Sequence, residues 1–178
     1  MAAEATSRRK PNVLVTGTPG TGKSSTCSEI ASRTGFEHVD VGAVAKDGQL
    51  YSGFDADLEC PILDDDRIID ELEDKLAEGG KIVDYHSCDF FPERWFDAVF
   101  VLRTDNTKLY DRLSQRGYGP QKLTNNIQCE IFQTILEEAR ESYRDDIVFE
   151  LHSNEPDDLD RNVDCIVEWI DKWLVRRT

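Results

Sequence analysis

Long apolar runs are missing from this 178-residue chain. None approaches the ~18 residues that suggest a membrane-spanning helix, so no membrane association is expected. Cysteine is sparse and badly spaced for structure: Cys27, Cys60, Cys88, Cys129 and Cys165 are odd in number, far apart and without a C-x-x-C pair. That excludes a zinc ribbon by spacing and argues against a secreted disulfide framework. We expect most of them to be small buried hydrophobes. Positive charge is also short. Lys plus Arg total 21 against 36 Asp plus Glu, a net charge of −15. Such a chain repels bare nucleic acid, yet it can hold a local anion site for a nucleotide and can attract a basic protein. The simplest reading of the excess is a solvated acidic surface. Eleven Gly and six Pro are too few for collagen or a low-complexity linker, and no internal repeat is visible. Residues 1–10 are small and polar with Arg8-Arg9-Lys10, and they lack the apolar stretch of a signal peptide. A frayed terminus and a reducing compartment, cytoplasm or nucleus, are expected.

What is present suits one domain over residues 1–178. A chain of this length buries about 70% of its unfolded surface, enough for a core without cross-links. Residues 12–16 form an apolar, β-branched run ending at Gly17, as in strands buried on both faces of a parallel sheet. Residues 23–33 read as a helix ending near Gly35, and residues 36–41 as a second strand. Residues 42–63, acidic with Gly48, Gly53 and Pro61, read as an irregular or partly helical insertion. Asp64-Asp65-Asp66 opens a helix whose stripe is Ile68, Ile69, Leu72 and Leu76, and Gly79-Gly80 ends it. Strands follow at 81–85 and 98–102, then a helix over 107–116 that stops at Gly117. Residues 118–124 read as a mobile loop. A long helix is expected over 126–143 with Ile127, Ile131, Ile135, Leu136 and Ala139 on one side. A strand at 147–151 precedes a last helix near Pro156, with a stripe of Leu159, Val163, Ile166, Val167, Ile170, Trp173 and Leu174. Strands alternating with helices indicate an α/β protein with helices on both faces of a parallel sheet.

One motif carries chemistry. Gly17-Thr18-Pro19-Gly20-Thr21-Gly22-Lys23-Ser24 fits G-x-x-x-x-G-K-[ST], directly after a strand and opening a helix. Glycines let the backbone turn successive N–H groups inward around phosphate oxygens, and the helix N-terminus adds its dipole. Lys23 supplies a charge for β- and γ-phosphates, and Ser24 a hydroxyl for Mg²⁺. Asp84 ends the apolar strand Ile82-Val83, where P-loop proteins hold Mg²⁺, often through water. His86 lies at the same sheet edge and points to a catalytic or switching role. Arg116 stands at the base of the 115–125 segment, where a lid can bring positive charge and exclude water, and its guanidinium can stack on adenine. Arg94, after Phe90-Phe91-Pro92, is a candidate to face an acceptor phosphate.

Five segments then resemble the adenylate kinase isoenzyme 6 family: GTPGTGKSS at 17–25, CPILDDDR at 60–67, VDYHSCDFFPERW at 83–95, VFVLRTD at 99–105 and KLTNNIQCEIFQ at 122–133. The resemblance runs over residues 11–173. It implies the nucleoside monophosphate kinase type of three-layer P-loop fold, with a five-stranded parallel sheet. It implies an ATP:AMP phosphotransferase that also hydrolyses ATP and acts in small ribosomal subunit maturation, in nucleus and cytoplasm. A basic small-subunit ribosomal protein and pre-ribosomal particles would be its partners, and a monomer is expected. By position, the ATP site would be Gly20, Thr21, Gly22, Lys23, Ser24 and Ser25 with Arg116 at the adenine. The monophosphate segment would be residues 40–63, the lid residues 115–125, and His86 the functional histidine. Lys46 would meet the acceptor phosphate, in a Gly42-Ala43-Val44-Ala45-Lys46 run where the family pattern is Gly-Asp-Leu-Ala-Arg. Lys is a point charge where Arg is a planar fork, which weakens phosphate orientation. The lid carries Pro120 and lacks the several arginines of ordinary adenylate kinases. Two other readings stay open: an ATP-driven assembly switch, and a kinase for another small acceptor.

Overall fold

In a computed structural model describing residues 8–57 and 59–177, five strands form one parallel sheet. The expected fraying of the N-terminus falls, for residues 1–7, outside the described residues. The sheet strands are β1 (Val13–Thr16), β2 (Glu37–Asp40), β5 (Lys81–Asp84), β6 (Ala98–Arg103) and β7 (Val148–His152), in the order β2-β5-β1-β6-β7. The chain leaves central β1 for the edge strand β2, returns to β5, and then crosses to β6 and β7. The loop after β1 therefore sits where the strand order reverses, the place where open α/β sheets bind ligands. A two-stranded antiparallel hairpin, β3 (Tyr51–Asp55) and β4 (Cys60–Leu63), stands apart from the sheet.

The three layers follow from strand alternation. Val13 and Val15 of β1, with Ile82, Phe100 and Leu102, point to the face covered by helix α1 (Lys23–Thr34) and helix α7 (Pro156–Arg176). Leu14, Val83, Val99 and Val101 point to the other face. There they meet helix α2 (Val41–Gly48), helix α3 (Asp65–Glu78) and helix α6 (Thr134–Ser142). Each fully buried aliphatic or aromatic side chain contributes roughly 1.5–3 kcal/mol relative to exposure. The stripes expected for α3 and α7 are the buried ones: Ile68, Leu72 and Leu76, and Val163, Ile166 and Ile170. The N-terminus of α3 is capped by Asp64, which accepts from Arg67 N. That of α7 carries a reciprocal box between Glu155 and Asp158 with Pro156 in the first turn.

Three expectations are corrected. The 42–63 insertion is regular: α2 begins right after its cap Asp40, whose Oδ1 accepts from Ala43 N at 3.1 Å, and the hairpin follows. The 118–124 segment is not a loop, since helix α5 (Pro120–Ile131) starts with proline at its first position. The long helix over 126–143 breaks, because Gln133 takes a left-handed φ of 56° between α5 and α6. The break lets Ile127 pack with Leu123 against helix α4 (Asn106–Gln115), while Leu136 and Ala139 cover the sheet. Ile131, expected in the stripe, is exposed. The cysteines are corrected too: Cys27 and Cys88 are buried, Cys60 and Cys129 are half-buried, and Cys165 is exposed.

One buried polar side chain ties the layers together. Asn12 is fully buried; its Nδ2 donates to the carbonyls of Leu76 at 2.7 Å and Trp95 at 2.9 Å, and its Oδ1 accepts from Lys81 N at 3.2 Å. Asn12→Ala would leave three backbone groups without these partners. With ~1–3 kcal/mol for each buried group left unsatisfied, a loss of roughly 3 kcal/mol is expected as a lowered urea midpoint. A midpoint shift equivalent to less than ~0.5 kcal/mol would show that Asn12 does not tie the layers.

Candidate active site

The loop after β1 takes its shape from glycine and from close packing. Gly20 has φ +93°, and a Cβ there would lie 2.9 Å from both Leu109 Cδ1 and Leu113 Cδ2 of α4. At Gly17 a Cβ would approach the carbonyl oxygen of Leu102 to 2.6 Å. The turn is tied by Thr21, buried, whose Oγ1 donates to Thr18 O at 2.8 Å. Lys23 Nζ donates to Gly17 O at 2.9 Å and Thr18 O at 3.2 Å, so its charge lies across the mouth of the loop. Burial lowers the Lys23 pKa from 10.5 to about 8; the charge of Asp84 opposes this and Arg116 adds to it.

Register brings the second element to the loop. Val15 of β1 faces Asp84 of β5, and Asp40 of β2 faces Asp84 from the other side. Asp84 is only 4% exposed, and its Oδ2 accepts from Ser24 Oγ at 2.9 Å. A buried carboxylate beside the P-loop hydroxyl is an all-oxygen pair, and this fits a hard cation such as Mg²⁺. Ser24 and Asp84 are the residues that would hold it.

Lys23, Ser24, Ser25, Asp84, His86 and Arg116 line one cleft of about 380 Å³. Gly20 and Gly22 line it as well, with Tyr51 and Cys60 of the hairpin and Tyr118 and Lys122 of the 115–125 segment. The 115–125 segment reaches the hairpin through Lys122 Nζ, which donates to Glu59 O at 3.4 Å, and Asn125 Nδ2, which donates to Asp57 O at 2.6 Å. The Lys122 ammonium also lies 4.4 Å from the centre of the Tyr118 ring.

His86 stacks at a tilt on Tyr85, with ring centroids 4.2 Å apart. Burial, aided by the charge of Lys23, lowers its pKa from 6.5 to about 4. His86 is therefore a neutral imidazole at pH 7, able to donate one hydrogen bond and accept one, and not a cationic switch.

Three expected residues do not line the cleft, the first being Thr21, whose fully buried side chain ties the turn from behind. Lys46 is exposed near the end of α2 and does not line it. Arg94 sits in a 3₁₀ turn at Glu93–Trp95, where its guanidinium pairs with Glu73 of α3. Trp95 Nε1 donates to the same carboxylate at 3.0 Å, so the exposed Arg94 guanidinium is engaged by α3 at the surface.

Two further residues were not anticipated. Arg112 of α4 donates to the carbonyls of Gly20 at 3.1 Å, Ser153 at 3.0 Å and Asn154 at 2.8 Å. It positions the P-loop against the β7–α7 connection. Its signal in the sequence was only a cation four residues before Arg116. His38 of β2 places Nε2 3.0 Å from Asp84 Oδ2. The hydrogen bond to Asp84 raises the His38 pKa above 6.5, against a smaller effect of burial.

These opposite shifts predict a pH signature. In an NMR titration, His38 should titrate above pH 6.5, while His86 should stay neutral until about pH 4. The His38–Asp84 pair contributes stability that is fully present below pH 6.5 and is lost as pH rises through the raised folded-state pKa. Burial of neutral His86 opposes folding increasingly as pH falls from 6.5 toward 4. An ordinary midpoint near 6.5 for both rings would contradict the site geometry.

Sheet order, P-loop and strand-end carboxylate together define a P-loop kinase-type fold. Solved structures agree: a shikimate kinase from Bacteroides thetaiotaomicron matches with a TM-score of 0.57 at 11% identity, over 90% of this chain and 98% of that one. A gluconokinase from Sinorhizobium meliloti matches at 0.52 and 20% identity, over 90% and 95%. The family described as "AAA domain" matches residues 13–133. Among curated proteins, "Adenylate kinase isoenzyme 6 homolog" of Drosophila melanogaster is 52% identical over 164 residues, 92% of this chain and 94% of the relative. The Dictyostelium discoideum homolog is 50% identical over 93% and 95% of the two chains. "Adenylate kinase isoenzyme 6 homolog FAP7" of Saccharomyces cerevisiae is 43% identical over 94% and 85%. The chain belongs to the adenylate kinase isoenzyme 6 family.

Proposed function

We propose that the protein transfers the γ-phosphoryl group of ATP to AMP. The observation that carries this reading is one shared cleft, with the P-loop as one wall and the hairpin and lid as the others. Donor and acceptor would then meet without crossing solvent. The backbone N–H groups of the P-loop would hold the donor phosphates, and Lys23 would follow the charge that develops on the moving group. Mg²⁺ held by Ser24 and Asp84 would neutralise charge on the β- and γ-phosphate oxygens. Arg116 would pack on adenine, and neutral His86 would orient the attacking oxygen by hydrogen bonding. An oxygen of the AMP phosphate attacks the γ-phosphorus in line, and ADP leaves as the bond to its β-phosphate oxygen breaks.

The thin charge of the lid favours a second activity. Arg116 and Lys122 are the cations of residues 115–125, and Lys46 and Arg94 do not line the cleft. With the acceptor held loosely, water competes, so ATP hydrolysis accompanies transfer. That is the chemistry of an assembly switch. We place the protein in small ribosomal subunit maturation, in nucleus and cytoplasm, bound to a basic small-subunit ribosomal protein. Support comes from net charge −15 and from the exposed acidic face of α3, with Asp66, Asp70, Glu71 and Asp74. Such binding should weaken steeply with salt, since exposed charges are screened over about 8–10 Å at near-physiological ionic strength. Neutralising this face should weaken the partner and spare AMP phosphorylation.

A bisubstrate analogue, two adenosines joined by five phosphates, tests the shared cleft. It should displace both ATP and AMP and bind at least ~10-fold more tightly than either, because one binding event fills both subsites. Displacement of ATP alone would overturn the acceptor half of the reading.

A further inference from the structure

Behind the P-loop lies a side-chain cluster of which the proposed phosphoryl transfer uses only Asp84. Three distant segments build it. On α1, Lys23, Cys27 and Ile30 recur at helical spacing, so the face that follows Lys23 turns Cys27 toward the sheet. On β2, His38 shares a face with Asp40, and on β5, Asp84 shares one with Ile82, which packs in the same core as Cys27. The Cys27 thiol, a ring nitrogen of His38 and an Asp84 carboxylate oxygen all lie within 4.8 Å of one another. Cys27 is fully buried and Asp84 nearly so.

The donor set is a soft thiol, an imidazole and a carboxylate. That combination suits zinc and other borderline divalent ions, whereas magnesium prefers oxygen alone. A tetrahedral centre with bonds of ~2.0–2.3 Å spaces its ligands roughly 3.3–3.8 Å apart. His38 Nε2 and Asp84 Oδ2, 3.0 Å apart, are already that close, and no separation in the cluster exceeds 4.8 Å. Asp84 lines the cleft and gives the ion its way in. Ser24 Oγ, 2.9 Å from Asp84 Oδ2, or a water completes the fourth position. Cysteine spacing along the chain hides such a site, because strand order and not sequence brings the three residues together.

We propose that Cys27, His38 and Asp84 bind a zinc-type divalent cation, and that this ion takes Asp84 away from the Mg²⁺ shell and so inhibits the enzyme. Binding is ligand exchange without redox change. Cys27 gives its thiol proton to solvent and binds as thiolate. His38 releases its hydrogen bond to Asp84; the Nε2 proton goes to solvent, which returns a proton to Nδ1 where that nitrogen was bare, and the ring binds through Nε2 as the neutral tautomer with its hydrogen on Nδ1. The inhibitory half rests on the kinase reading above; the binding half does not.

Cobalt(II) is the direct probe, because a thiolate ligand gives it a charge-transfer absorption that oxygen and nitrogen ligands do not. Titration of the full chain without nucleotide should show one equivalent of cobalt with that band, and zinc should displace it. Cys27→Ala should abolish the band, and so should His38→Gln, each checked for folding by circular dichroism. Absence of the band in the wild type, or its persistence in folded Cys27→Ala (which keeps Cys60, Cys88, Cys129 and Cys165), overturns the site. In the second arm, equimolar zinc in excess Mg²⁺ should lower wild-type ATP turnover at least ~10-fold. Cys27→Ala should keep its turnover under the same zinc. A cobalt band with unimpeded turnover in zinc overturns the inhibition. A protein that binds cobalt through Cys27 but turns over no ATP even without zinc instead overturns the kinase reading and leaves the metal site standing.

Discussion

Lys23→Ala is expected to lower turnover on the order of 100-fold or more while the protein stays folded. Lys23 Nζ is held by the Gly17 and Thr18 carbonyls at the loop mouth, so its charge is already placed where the transferred group gains charge. Removing such a preorganised contact costs about 10²–10³ in rate. Folding should be little affected, because the ammonium is buried at a cost shown by its pKa near 8. The same shift predicts a pH effect. Above about pH 8 the free protein carries neutral Lys23, so ATP affinity should fall there and binding should take up protons, measurable by calorimetry in buffers of different ionisation enthalpy. A folded Lys23→Ala protein with near-normal turnover would remove the P-loop assignment.

Asp84→Asn is expected to raise the Mg²⁺ concentration for half-maximal activity about 10–100-fold, the range seen when groups supporting a metal site are changed. Asn keeps the shape of Asp in a nearly closed position, so the fold should hold. It removes the negative charge that Ser24 and His38 share. His38 gives an independent readout, since its raised pKa depends first on the hydrogen bond to Asp84 and should move back toward 6.5 in the variant. An unchanged Mg²⁺ requirement with His38 titrating as before would take the carboxylate out of the metal site.

The parts of the site that lie within one segment were legible in the sequence. Strand, glycine loop and helix follow each other over residues 13–34, so motif and context are local. Asp84 was legible because a strand-end carboxylate needs only its own strand. That Lys46 and Arg94 stay outside the cleft was not legible for a related reason: a cation near a turn shows its charge in the sequence but not its partner. The partner of Arg94 is Glu73, twenty-one residues away on α3. His38 and Arg112 were missed because their contacts depend on strand order and on a helix meeting the P-loop from afar. The hairpin escaped because Phe54 and Ile62 are exposed, which removes the alternation that marks a half-buried strand. At residues 118–124, the Gly119-Pro120 pair suits a loop, but proline also suits the first position of a helix. The turn at Gln133 has neither Gly nor Pro to signal it.

The measurement that reaches the central claim most directly follows one phosphoryl group. ATP radiolabelled in its γ-phosphate is incubated with the protein, Mg²⁺ and AMP, and the products are separated. Transfer within the cleft predicts label in the β-phosphate of ADP, with two ADP formed for each AMP consumed and with label flow lost in Lys23→Ala. Label released only as inorganic phosphate, at a rate indifferent to AMP, would contradict it.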